Sequence, residues 1–388
     1  MRMNEDEPSN MRAQQWKPTR PGATLWLLLF LALPSSPRAD STEPRHGSVA
    51  DGHLSASFEG GFTATWQGTN APGVDDEGAA SLDLVVTLPQ GGGIWTLYLE
   101  GSTTPPAEGV SARLPEANAD AGTALDGRGK GRLQISEAHY RFTVAEEEFT
   151  LGLLDPANFI DLSEVANDET RQFLASPFVN NPTIGFPDYH LAAAWHHAGT
   201  ENRPALTLEI GSARGLADNG GRYGELARVS GKGIFAAAEG QGRLGEVSWR
   251  TGFWIKEAEL VTVGGTGAAG NAFGAYATFD GTWSKMRWNL RGGWADARTS
   301  AAATFLAAAV ERPWAGCATG LAVAFTGASS DLRGGADRVQ LETYVRFQGP
   351  GGVEITPDLQ WIRHSGLRRN APDAWVAGVR FSWSFQNR

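Results

Sequence analysis

The sequence predicts an all-β fold: a transmembrane antiparallel β-barrel of about sixteen strands, with a long, partly helical loop folded into the lumen. Three observations carry this expectation. Residues 375–385 alternate without a break, with Trp375, Ala377, Val379, Phe381, Trp383 and Phe385 on one parity and Val376, Gly378, Arg380, Ser382 and Ser384 on the other. Short turns and long loops take turns along the chain. An apolar run of export type precedes the first strand.

That run, residues 23–33, is uncharged, preceded by Arg12, Lys17 and Arg20, and followed by Pro34, Ser35, Ser36 and Ala39. A charged start, a short apolar centre and a small-residue exit make a secretory signal peptide, and the run is shorter than the roughly 20 residues that a spanning helix needs. Residues 1–39 are read as a leader cleaved near Ala39. Met11 fits better than Met1 as the start, because acidic residues at 4–7 suit a positively charged leader poorly. Residues 40–52 then form a periplasmic N-terminal segment, and 53–388 the barrel domain.

No later segment has the length and apolarity of a spanning helix, and a barrel needs none. Abundant glycine and tryptophan, few methionines and a net charge of -10 suit half-apolar strands joined by acidic loops, and disfavour nucleic acid as a partner. Cys317 is the single cysteine, which excludes an intrachain disulfide and metal or thiol chemistry built on paired cysteines.

In chain order the expected strands are 53–67, 80–89, 94–101, 132–144, 149–155, 189–197, 204–211, 232–239, 245–255, 271–280, 285–295, 303–312, 317–327, 337–347, 352–362 and 375–385. Short turns at 90–93, 145–148, 198–203, 240–244, 281–284, 313–316 and 348–351 alternate with longer loops at 68–79, 102–131, 156–188, 212–231, 256–270, 296–302, 328–336 and 363–374. Short turns on one side and long loops on the other are the layout of an outer-membrane barrel with both chain ends in the periplasm. The last strand closes the ring by pairing with both its predecessor and the first.

Parity assigns the faces. On strand 337–347, Val339, Leu341, Thr343, Val345 and Phe347 form the lipid face, opposite Arg338, Gln340, Glu342, Tyr344 and Arg346. A charged side chain at the bilayer midplane costs roughly 2–4 kcal/mol, so the charged parity must face an aqueous lumen. The same sorting turns inward Glu137, His139 and Arg141; Arg287, Asn289 and Arg291; Glu354, Thr356, Asp358 and Gln360; and Ser248, Arg250 and Trp254. About sixteen strands leave a channel rather than a packed core. Inward charges of both signs suit a neutral, hydroxyl-rich solute better than an ion.

The loop 156–188 is the longest connection. Residues 163–169 are helix-permissive, with Leu162, Val165, Ala166 and Phe173 near helical spacing, and long structured loops are usually functional. A segment carrying Asp161, Glu164, Asn167, Asp168, Glu169 and Arg171 suits a constriction inside a wide lumen.

Two stretches carry a family resemblance. Residues 151–195, LGLLDPANFIDLSEVANDETRQFLASPFVNNPTIGFPDYHLAAAW, resemble the corresponding part of the carbohydrate-selective outer-membrane porins, the OprB family, where a strand leads into Phe-Asp, Ala-Asn, Gln-Phe and Asn-Asn-Pro elements. Residues 339–366, VQLETYVRFQGPGGVEITPDLQWIRHSG, are similar to that family's penultimate hairpin, with its Tyr-Arg-Phe and Ile-Thr-Pro-Asp elements. The resemblance spans roughly 58–385. It implies a sixteen-stranded barrel whose inward loops form an eyelet for monosaccharides and related solutes. By position, the eyelet candidates are Asp161, Glu164, Asn167, Asp168, Glu169, Arg171 and Asn180 on the loop, facing Arg141, Arg291, Arg346 and Asp358 on the wall. The chain departs from the family in being shorter than many members and in continuing past Phe385 with Gln386, Asn387 and Arg388.

The expected function is passive, carbohydrate-preferring diffusion through an outer-membrane porin without cofactor, metal or catalysis. Its partners would be small carbohydrates, outer-membrane lipid and, during insertion, the barrel assembly machinery. A general diffusion pore and a plugged surface binding or adhesion barrel are the alternatives. Hydrolase chemistry finds no serine at fixed spacing from His190, His196, His197 or His364. Gly265, Gly267 and Gly270 spell GxGxxG, but a strand rather than a helix is expected after them, so they are read as an extracellular loop rather than a dinucleotide site.

Overall fold

The computed structural model describes residues 56–387 apart from 201–202, 218–220, 227–232 and 266. The leader, the segment 40–52 and the expected strand start at 53–55 lie outside the described residues. Alternating sequences form strands β1 Ser57–Thr69, β2 Glu77–Gln90, β3 Gly93–Ser102, β4 Leu133–Val144, β5 Glu147–Leu154, β6 His190–His197, β7 Ala205–Ser212 and β8 Ile234–Leu244. They continue as β9 Val247–Val261, β10 Ala268–Trp283, β11 Met286–Ala295, β12 Ala302–Trp314, β13 Cys317–Ala328, β14 Arg338–Gln348, β15 Glu354–Arg363 and β16 Ala374–Gln386.

Every strand pairs antiparallel with its sequence neighbours, and β1 pairs with β16 to close the barrel. Closure removes the sheet edge, so ladder donors and acceptors are satisfied without water. The closing ladder runs from Glu59 opposite Gln386 to Thr69 opposite Val376. It continues past the final aromatic, since the Asn387 N–H donates to the Phe58 carbonyl at 2.9 Å and the Phe58 N–H to Asn387 Oδ1 at 2.5 Å.

Tight reversals at one end include Gly91 with Gly92 and Ala145 with Glu146, all at positive φ, as a two-residue hairpin that follows the strand twist requires. The other end carries the long connections, and an even number of strands places the start of β1 and the end of β16 on the short-turn side. The β9–β10 hairpin is longer than expected. Its ladder reaches Val261 opposite Ala268, so Gly270 belongs to β10 and the connection shrinks to 262–267.

The faces separate as parity demands. Arg338, Gln340, Glu342 and Tyr344 are buried while Leu341, Thr343 and Phe347 are exposed, and Glu354, Thr356, Asp358 and Gln360 are buried while Leu359 is exposed. Trp375, Phe381, Trp383 and Phe385 of β16 are exposed and Arg380 is buried. Cys317 is half-buried at the start of β13. On β4 the register shifts opposite Tyr98 and Leu99, and Ser136 and Glu137 are both buried there, so Gln134 and Ser136 join the expected Glu137, His139 and Arg141 on the inner face.

The helix expected over 163–169 does not form. The Ser163 hydroxyl takes the Val165 and Ala166 N–H groups, Gln172 Oε1 takes that of Asn167, and Arg291 takes the Asp161 and Ala166 carbonyls, and these bonds displace an i to i−4 ladder. The segment instead contains a 3-10 turn at Pro156–Asn158 and one helical turn at Ser176–Val179.

If the outward parity meets hydrocarbon, Leu321→Arg near the centre of β13 destabilises the barrel by about 2–4 kcal/mol in denaturant unfolding from lipid vesicles, and Leu321→Val by under about 1.5 kcal/mol.

Candidate functional site

Segment 155–189 lies against the inner face of the strands through side chains that bond its backbone. The Asp161 N–H donates to Glu239 Oε2 at 2.7 Å, and Leu174 and Ala175 N–H donate to the Glu342 carboxylate at 2.6 and 2.9 Å. Arg291 donates to the carbonyls of Val179, Asp161 and Ala166 at 3.2, 3.0 and 3.0 Å. Arg380 donates to those of Glu169 and Gln172 at 2.5 and 2.7 Å. A non-helical backbone buried from water needs such partners for every polar group.

Apolar contacts add to these bonds. Val165, Ala166, Phe173, Ala175 and Phe178 pack on Phe305, Ala307, Ala309, Ala322, Ala324 and Tyr344, an alanine-rich inner wall on β12–β14. The small wall residues leave room for the two phenylalanine rings, each of whose burial contributes roughly 1.5–3 kcal/mol. Gly320 has the same role for Tyr344, because a Cβ there would meet that ring, and Tyr344 holds Phe173 edge-on at 5.1 Å. On the opposite flank Ile160 and Ile184 pack on Phe235, Trp254 and Tyr276. At Gly293 a Cβ would collide with Thr183 Oγ1, so glycine lets the segment approach β11.

A second inward segment, 103–132, was not singled out in the sequence. Ala117 O accepts from Gln67 and Gln360, Glu116 O from Gln340, and Asn118 donates to Thr65 and Gln67. The Ser176 N–H donates to Glu116 O and the Ala119 N–H to Leu174 O, so the two segments are joined backbone to backbone. The missed signal was the run of Glu116, Asn118 and Asp120 beside Ala117 and Ala119, small and polar like the chain it meets.

The sequence-predicted residues divide into two groups. Asp161 is buried, accepts from Thr278 at 2.6 Å and lies 3.5 Å from Arg291 Nε; burial raises its pKa and Arg291 opposes the rise. Arg171 makes a bidentate pair with Glu354 at 2.9 and 2.8 Å. Arg346 lies 3.4 Å from Glu311 and 3.8 Å from Glu354 and donates to Arg171 O. Asp358 is buried and accepts from Gln360 at 3.0 Å. Asn167 Oδ1 accepts from Arg291 at 3.3 Å. All of these hold segment to wall or wall to itself.

The other group is more open. Glu164 and Asn180 are exposed, as is Arg171 despite its pairing with Glu354, and Asp168 and Glu169 are half-exposed. Asp168 Oδ1 is engaged locally by Thr170 and Arg171 N–H groups. Arg141 stands apart, 4.0 Å from Glu148 beside a short turn. It shares the inner face of β2–β4 with Asp83, Thr96 and Tyr98, all half-buried, and with His139, whose side chain is 12% exposed; on β14 and β15 most inward residues are buried. Tyr98 donates to Asp83 Oδ1 at 2.6 Å. Nearby Asp120 accepts from Ser81 at 2.6 Å, and burial pushes its carboxyl up to about 7. Toward the long loops this wall is covered, since Asn158 donates to Glu137 and Tyr189 to Glu100, both at 2.8 Å; the less covered part lies toward the short turns and carries hydroxyl, carboxylate and guanidinium groups, and Arg250 on β9 and Arg287 on β11 are half-buried as well. Among the described residues no cluster of histidine, cysteine or carboxylate side chains could hold a metal ion.

No family model matches the chain. An uncharacterized protein of Aquifex aeolicus (strain VF5) is 32% identical over 110 residues, 28% of this chain and 35% of that protein, so the match spans about a third of that curated relative. Among solved structures, Pseudomonas putida OprB at high pH is similar with a TM-score of 0.67 and 12% identity over 86% of this chain and 94% of that one. Outer-membrane expressed OmpT of Vibrio cholerae is similar with a TM-score of 0.52 and 10% identity over 87% and 99%. At these identities the likeness establishes the closed-barrel fold.

Removing one partner of a buried charge pair costs roughly 3–5 kcal/mol, so Arg291→Met should loosen segment 155–189. Hydrogen exchange should accelerate in 161–181 while the strand amides keep their protection, and Asp161→Asn in the same chain should recover part of the loss.

Proposed function

We propose that this chain is an outer-membrane porin through which small sugars or polyols diffuse down their gradient, with both chain ends in the periplasm and no catalytic step. Its surroundings are then outer-membrane lipid and, during insertion, the barrel assembly machinery. The observation that carries the reading is a closed barrel of sixteen strands with an apolar exposed face and a polar inner face. The carbohydrate preference draws on the resemblance at 151–195 and 339–366 and on the likeness in fold to a protein named OprB.

In this reading the segments 155–189 and 103–132 narrow the lumen from the β10–β16 side, and solute passes along β2–β4. Arg291, Arg346, Arg171 and Asp358 act as anchors of the eyelet. Glu164, Asp168, Glu169, Asn180 and Arg141 are the predicted residues left to meet solute, joined by Asp83 and Tyr98. A tyrosine hydroxyl held by a carboxylate presents an aromatic edge and a hydrogen-bond acceptor together, which matches the mixed surface of a sugar ring. Because the wall arginines are committed to carboxylates or carbonyls, the strip carries no strong basic field to trap anions.

One observation favours a plugged surface barrel instead: Gln340 and Gln360 on the inner wall are fully buried beneath segment 103–132. Single-channel recording in planar bilayers separates the readings. A porin gives stepwise conductance reduced by glucose; no conductance overturns the pore, and conductance insensitive to every sugar leaves a general diffusion pore. Tyr98→Phe should weaken glucose block by roughly two- to tenfold, the loss of about one hydrogen bond, without altering the unfolding midpoint by more than a small margin.

A further inference from the structure

Where β13, β14 and β15 meet the long loops, an open cleft of about 620 Å³ lies between the connections 329–337 and 364–373. The two connections are stitched together: the Ala336 N–H donates to Leu367 O at 3.0 Å, the Arg369 N–H to Gly334 O at 3.0 Å, and Gly335 bridges to Arg368. The cleft is therefore walled by bonded backbone. Phe325, Val339, Asp337, Arg363, His364 and Arg369 contribute to its lining.

Register places this cleft on the outward face. Phe325 is opposite Val339 and Val339 opposite Arg363, so the three form one row across the hairpins. The adjacent outward row toward the short turns is Val323, Leu341, Trp361 and Trp375. Two tryptophans paired at the loop end of an apolar belt mark the membrane interface. Arg363 follows Trp361 on the same parity, a step of about 6–7 Å further along the strand. It thus stands at the level where a lipid headgroup would lie, above a belt suited to acyl chains.

The charges there are available. Among the described residues the exposed Arg363 makes no ion pair, and the Arg369 guanidinium donates to the Gly335 carbonyl at 3.4 Å. The opposing carboxylate, Asp337, turns Oδ1 to the Ala328 N–H at 3.0 Å, and His364 Nδ1 is taken by the Asp337 carbonyl at 2.8 Å. In a chain of net charge -10, this cleft offers two guanidinium groups outside any ion pair against one carboxylate, beside an exposed phenylalanine. Guanidinium forks match phosphate oxygens, and Phe325 with Val339 matches hydrocarbon.

We infer that this cleft holds the phosphorylated headgroup of an outer-leaflet lipid, with phosphate between Arg363 and Arg369 and the first acyl carbons on Phe325 and Val339. The inference rests on the outward face meeting lipid and is independent of solute passage, so a barrel that fails to conduct would leave it standing. A free phosphate would use the arginines alone and ignore the apolar wall.

Native mass spectrometry of the folded full chain tests it, with diphosphorylated lipid A, the same lipid dephosphorylated, and inorganic phosphate as competitor. The phosphorylated lipid should bind and resist millimolar phosphate. Arg363→Gln with Arg369→Gln should weaken binding about tenfold, or ~1.4 kcal/mol. Arg363→Lys with Arg369→Lys should retain most of it, as should Arg312→Gln at the short-turn rim. Equal binding by the glutamine variant, equal binding of the dephosphorylated lipid, or displacement by inorganic phosphate would each overturn the assignment. Heat stability of the glutamine variant equal to the parent excludes unfolding as the cause of a loss.

Discussion

Arg291 is the constraint on which the interior depends. Its side chain is 1% exposed, it reaches three carbonyls of the inward segment, and its charge lies beside Asp161. A guanidinium in that position is stabilised only while the segment surrounds it, and the segment's carbonyls are satisfied only while the guanidinium is present. Arg380 repeats the arrangement on β16 with the carbonyls of Glu169 and Gln172. Two strand-borne arginines thus convert an irregular stretch of chain into a fixed part of the barrel interior. The alanine wall of β12 and β13 works with them, because its small side chains let Phe173 and Phe178 approach while the arginines take the backbone.

This arrangement gives the barrel an asymmetric interior. Chain lies against the inner face of β8 and of β10–β16 and reaches β1 and β2, while half-buried inward residues remain at Asp83, Tyr98 and Arg141 on β2–β4 and at Arg250 and Arg287. In the proposed porin, selectivity would come from that strip and the edge of the segment opposite it. Charges of both signs inside a barrel can therefore have separate tasks: Arg291 and Arg380 fix the segment, whereas Arg141 remains beside the open space.

Much of the fold was legible because two periods are hard to disguise. A strand facing apolar and polar surroundings must alternate, as 338–348 and 374–386 do, and short turns must alternate with long loops when hairpins share one rim. The absent helix at 163–169 was not legible, since helical spacing of Val165 and Ala166 is outweighed by long-range bonds to Arg291 and by the Ser163 hydroxyl. Nor was the role of the alanines in β12 and β13. Ala307, Ala309, Ala322 and Ala324 on the inner parity look like weak alternation until Phe173 and Phe178 are placed against them. Segment 103–132 carries no local signal of its inward course, because its partners, Gln67, Gln340 and Gln360, lie far away in the chain. For the same reason parity identified Arg291, Arg346 and Asp358 as inward without distinguishing an anchor from a group open to solute.

In the proposed porin, arginine-anchored chain inside the barrel sets the width of the passage. Its most direct measurement is the single-channel conductance of Arg291→Met with Arg380→Met, refolded into planar bilayers beside the parent protein. A larger and noisier conductance is expected, with the barrel still closed by β1 and β16; a conductance identical to that of the parent would show that the anchored chain does not set the width.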